Sequence, residues 1–89
     1  MNKKFLKKVL DQILSETRID YDRKVIETPF TSPFSLLFSS SFVRFSSLLV
    51  LFPFTKHCKE VYGLNEDEIE YVWEEYKQII IDKIKNNGL

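Results

Sequence analysis

Apolar residues recur at spacings of three and four along Ile69, Val72, Trp73, Tyr76, Ile79, Ile80 and Ile84, with charged residues between them. This period predicts one long amphipathic helix over Asn65 to Asn86 whose apolar face is buried. Its ends carry matching signals. Asn65 is a good N-cap, and Glu68 can reach back to the cap's own amide. Glu66, Asp67, Glu68 and Glu70 lie near the start, Lys83 and Lys85 near the end, and Asn86-Asn87-Gly88 supplies left-handed stop residues. A second pattern of the same period predicts an N-terminal helix over about Lys3 to Glu16. Phe5, Leu6, Val9, Leu10, Ile13 and Leu14 share one face and Lys3, Lys4, Lys7 and Lys8 cover the other. The apolar face is expected to pack on the last helix, leaving the lysines in water or near that helix's acidic start.

Between these helices the period changes. From Arg18 to Thr28, Ile19 and Tyr21 alternate with charges and Val25-Ile26 resumes an apolar run, which predicts a short hairpin or a single strand after a turn. Asp20 and Asp22 are expected as exposed charges on that hairpin, since no third ligand or histidine stands near them in sequence. Further on, Thr55 is a candidate cap for a short helix over Lys56 to Tyr62, with Gly63 as its left-handed C-terminal residue. That helix and the last one would form a helical hairpin jointed at Gly63-Leu64-Asn65. The outline resembles a helix-turn-helix, but a recognition helix beginning Glu66-Asp67-Glu68 repels phosphate, which excludes DNA reading.

The stretch Pro29 to Thr55 has no clear period, and 22 of its 27 residues are Phe, Ser, Leu or Pro, with Arg44 its only charge. Three structures compete for it. Ser32 and Pro33 could start a helix that Pro53 stops, with Phe34, Phe38, Phe42, Phe45 and Leu49 as its stripe. Such a helix, over 32–52, has the length of a membrane span, although an arginine near its centre costs about 2.5–3.5 kcal/mol. Alternatively, Leu48 to Phe54 is a buried strand pairing with Lys24 to Thr28. In the third, the segment is irregular and covers the helices with phenylalanines. Its aromatic area exceeds what the other faces can bury, so self-association, most simply as a two-fold dimer, a larger assembly or lipid is expected to cover the rest.

Composition narrows the functional classes. Eighty-nine residues allow one domain, 1–89, mainly α with a small α+β character. Thirteen basic and thirteen acidic side chains cancel, which argues against nucleic-acid partners bound through bulk charge. The charges are nonetheless segregated: Met1 to Lys8 holds four lysines and no acid, and Glu60 to Tyr76 holds seven acids and no base. A single cysteine, Cys58, cannot form an internal disulfide, so a reducing compartment is expected, cytoplasmic in the first instance and membrane-associated in the alternative. His57 and Cys58 are adjacent, yet neighbours on a helix point about 100° apart and no orienting third residue follows, so they do not form a nucleophilic pair. No P-loop, GxGxxG, GxSxG or HExxH occurs. An enzyme is not expected, and no cofactor is.

The run KHCKEVYGLNEDEIEYVWEEYKQIIIDKI resembles the C-terminal part of small uncharacterised proteins of tailed bacteriophages, particularly those of marine cyanobacteria. It covers the last third of the chain and contains no catalytic or binding motif. The resemblance implies a viral source and residence in an infected cytoplasm or a virion. Together these readings favour a non-enzymatic protein–protein interaction module, with a small single-span membrane protein and a minor virion structural protein as alternatives. The candidate partner-binding residues are Asp67, Glu70, Glu74 and Lys77, which share one solvent face of the last helix; a basic protein surface could dock there, or the face could simply be solvated.

Overall fold

The computed structural model describes residues 2–35 and 48–86, apart from the side chains of 34, 35, 48 and 49. In chain order these form α1 (Lys3–Ser15), β1 (Arg18–Asp20), β2 (Val25–Glu27), β3 (Phe34–Ser35), α2 (Leu48–Tyr62) and α3 (Glu66–Asn86). The protein is mainly helical with a small antiparallel sheet in the order β1-β2-β3.

Both other described helices pack on α3. Its start is a reciprocal capping box: the Asn65 amide donates to Glu68 Oε1 at 3.0 Å, and the Glu68 amide donates to Asn65 Oδ1 at 2.9 Å. Ile69, Val72, Trp73, Tyr76, Ile80 and Ile84 are buried as the period predicts, whereas Ile79 is half-buried at the edge of the stripe. Helix α1 begins at an Asn2 cap, whose Oδ1 accepts from the Phe5 amide at 3.1 Å, and buries Leu6, Val9 and Ile13 against α3. Phe5, expected on that buried face, is instead 42% exposed at its margin. The lysine face meets α3 at mid-helix rather than at its acidic start, because Lys3 and Lys7 share a cleft with Tyr71 and Glu75. Past the helix end, the Thr17 hydroxyl donates to the Ile13 carbonyl at 2.8 Å, so the buried Tyr76 hydroxyl donates to Thr17 Oγ1 at 2.8 Å.

The hairpin is present with Arg18, Ile19 and Asp20 opposite Glu27, Ile26 and Val25. Asp20 shapes its turn, accepting from the Arg23 amide at 3.0 Å and lying 3.9 Å from the Arg23 guanidinium, while Lys24 takes the left-handed conformation at φ 56°. Asp22 is exposed in the turn, as expected, whereas Asp20 ends β1 and is partly buried. Ile26 is fully buried and pairs on its other side with Phe34, as Val25 does with Ser35.

The Phe/Ser/Leu stretch departs from expectation in three ways. Ser32 and Pro33 precede a strand, so no helix begins there. Leu48 to Phe54 is helical rather than a strand, and the partners of β2 are β1 and β3. Helix α2 does not start at a Thr55 cap but runs from Leu48 through Pro53. Proline lacks the amide for the carbonyl four residues back and costs about 3 kcal/mol inside a helix. Burial of Val50, Phe54 and Cys58, one turn apart on a single face, offsets it. Residues 36–47, which hold Phe38, Phe42 and Phe45 of the expected stripe and most of the expected span, lie outside the described residues. Among the described residues no helix is long and apolar enough to cross a membrane.

The joint of the helical hairpin is as expected. Gly63 has φ +65°, and its amide donates to the Lys59 carbonyl at 3.2 Å, the left-handed closure of a helix. A Cβ at Gly63 would meet nothing within 4 Å. Gly63→Ala is thus expected to destabilise through backbone conformation alone, by about 1–2 kcal/mol. A lowered urea midpoint at unchanged slope would show this.

Candidate functional site

The antiparallel α2–α3 hairpin sets rows of four-residue spacing side by side. Leu51, Thr55 and Lys59 line α2, and Glu66, Glu70 and Glu74 line α3 with Ile69 and Trp73 beside them. Residues four apart lie nearly above one another on a helix, so these rows form the walls of a continuous groove. The groove encloses about 370 Å³. Ile69 and Trp73 are buried and make its apolar floor, Leu51 is half-buried on the wall, and the glutamates Glu70 and Glu74 stand exposed on the rim. The floor is held from beneath, where the Phe54 and Trp73 ring centroids lie 5.0 Å apart.

The four candidate residues of the sequence separate in this geometry. Glu70 and Glu74 line the groove. Lys77 reaches back to Glu74 at 3.2 Å and neutralises that end of the rim. Asp67 is exposed but lies one residue, and so about 100°, off the Glu66–Glu70–Glu74 row. Sequence reasoning puts Glu66 in the acidic patch with Asp67, Glu70, Glu74 and Glu75, and offers the apolar stripe of Ile69 and Trp73 as a partner-binding groove, but it misses the α2 wall of Leu51, Thr55 and Lys59 that joins the two. The four-residue rows could have revealed it, but only once α2 was known to extend N-terminally to Leu51. Neither Glu66 nor Glu70 has an ion-pair partner among the described residues, so with Lys59 on the facing wall and Lys77 paired to Glu74 the rim keeps an excess of carboxylates beside an apolar floor.

A larger cleft, about 510 Å³, opens between the β2–β3 connection and α2, walled by Phe30, Phe52 and Pro53 with Lys56, His57 and Glu60. The His57 ring sits against Phe30 and Tyr62, and its Nε2 is buried with no hydrogen-bond partner among the described residues. Cys58 is fully buried, and burial pushes its thiol up to about 12, so it carries no thiolate near neutral pH. The adjacent pair therefore does not assemble a nucleophile. Among the described residues no three His, Cys, Asp or Glu side chains group closely enough to hold a metal ion. What the groove can do is hold an apolar side chain on its floor and cations along its rim. Compared with known protein families, with curated proteins and with solved structures, the chain shows no match.

Proposed function

We propose that this chain is a non-enzymatic protein-interaction module that takes a basic amphipathic segment into the α2–α3 groove. The observation that carries this reading is the union of an apolar floor, Ile69 and Trp73, with the carboxylates Glu66 and Glu70, which form no ion pair among the described residues. A helix laid into a groove is recognised through apolar anchors one turn apart, and flanking charge sets orientation and association rate. The floor accepts the anchors and the rim accepts lysine or arginine on either side of them. A setting in phage-infected cells accords with the resemblance of the C-terminal run and with a chain whose one thiol is buried.

Trp73 is the only tryptophan and lies on the floor, so its emission reports occupancy directly. A tryptophan-free helical peptide of leucine and lysine is expected to change that emission saturably, and a leucine–glutamate peptide of the same length is not. The double variant Glu70→Lys, Glu74→Lys should weaken the leucine–lysine peptide by at least about tenfold. Equal responses to both peptides, or no loss in the double variant, would overturn the reading.

A further inference from the structure

We infer that the groove's occupant is a second copy of this chain, docking through the exposed flank of its α1. The inference rests on the groove reading above and commits it to one partner. Helix α1 carries the four lysines of Met1 to Lys8, and around it, at 100° per residue, the buried stripe Leu6, Val9 and Ile13 divides two flanks. On one flank Lys3, Lys7 and Leu10 face Tyr71 and Glu75 of the same chain. On the other, Phe5 is 42% exposed, with exposed Lys8 beside it and Lys4 beyond. An exposed phenylalanine edged by lysines is the complement of an apolar floor edged by glutamates.

The groove cannot take the α1 of its own chain. Around α3, the groove residues Glu66, Ile69, Glu70 and Trp73 lie roughly opposite Tyr71 and Glu75, against which α1 is seated. The two complementary patches are thus different surfaces of the chain, one on α1 and the other between α2 and α3. Patches so placed join copies head to tail, giving a ring or an open chain of subunits in preference to a two-fold dimer.

Sedimentation of the intact chain at rising concentration, at low and at high salt, tests this. The expected result is a mass that increases with concentration at low salt and returns to the monomer at high salt, since the contact is between exposed charges. Phe5→Ala, the pair Lys4→Glu with Lys8→Glu, and the pair Glu70→Lys with Glu74→Lys should each weaken association by at least about tenfold. All five positions are exposed, so each variant is expected to keep the far-ultraviolet circular dichroism of the native chain, which is measured alongside. An equimolar mixture of the two charge-reversed proteins should associate again, because the acidic α1 of one fits the basic groove of the other. A native chain that stays monomeric at low salt, variants that associate like the native chain, or a mixture that stays monomeric would each overturn the inference. If the leucine–lysine peptide still enters the groove of a monomeric chain, the groove reading stands and self-docking alone is wrong.

Discussion

Phe54→Ala is expected to lower the unfolding free energy by about 3–5 kcal/mol, a large share of what a single small domain possesses. Phe54 is fully buried where three parts of the chain meet. Its ring stands edge-on to Phe30 at 5.2 Å, lies 5.0 Å from Trp73 and stacks on Tyr76 at 5.5 Å. Phe30 also meets Tyr76 at 5.8 Å, so the loss would open a hole in a ring-on-ring cluster rather than at a margin able to collapse. Phe52, two residues earlier and 65% exposed, is the control: Phe52→Ala should move stability by no more than about 0.5 kcal/mol. Urea titrations of the two variants make the comparison. Similar midpoints would show that the aromatic cluster is not the centre of the fold.

Alkaline pH should destabilise the protein nearly as strongly. Cys58 ordinarily titrates at 9.0, and burial raises it to about 12; burial raises the Tyr76 hydroxyl as well. Both groups keep their protons in the folded chain at a pH where the unfolded chain has released them. The stability they contribute is therefore complete below pH 9 and is lost as pH rises, at about 1.4 kcal/mol per pH unit for each group once its unfolded form ionises. The thiol acts alone at first, from pH 9.0 upward, and the phenol joins it above 10.0. Urea midpoints at pH 7, 9, 10 and 11 should fall with a steepening slope, and Cys58→Ala should flatten the first part of that fall. A flat profile through pH 11 would refute the burial of both groups.

Much of α3 was legible before any coordinates, because cap, period and terminal charges all agree over twenty-one helical residues. The hairpin was legible for a weaker reason, since Ile19 and Tyr21 alternate with charges before the apolar pair Val25-Ile26 but the turn depends on the Asp20 side chain instead of a glycine. Helix α2 was misjudged at its start. Pro53 argues locally for a stop, and only the tertiary partners of Val50, Phe54 and Cys58 show why the helix continues through it. The third strand spans two residues, too few to show any alternation. The same error hid half of the candidate site: with α2 started at Lys56, Leu51 had no place beside Trp73, and the acidic patch and the apolar stripe of α3 read as two separate surfaces.

The position of α3 in the chain also fixes when the protein can fold. Every buried stripe described here closes on a helix that is the last of these elements to be synthesised. The apolar stripe of α1 emerges about fifty residues before α3 begins, which at cellular rates of elongation is roughly three to ten seconds. Through that interval Leu6, Val9 and Ile13 lack their partners on α3. The three-residue joint at Gly63 then brings α2 and α3 together at little entropic cost, leaving the long closure from α1 to α3 as the slower step. A nascent chain of this protein presents a lysine-studded, half-apolar helix to its surroundings well before it can cover it.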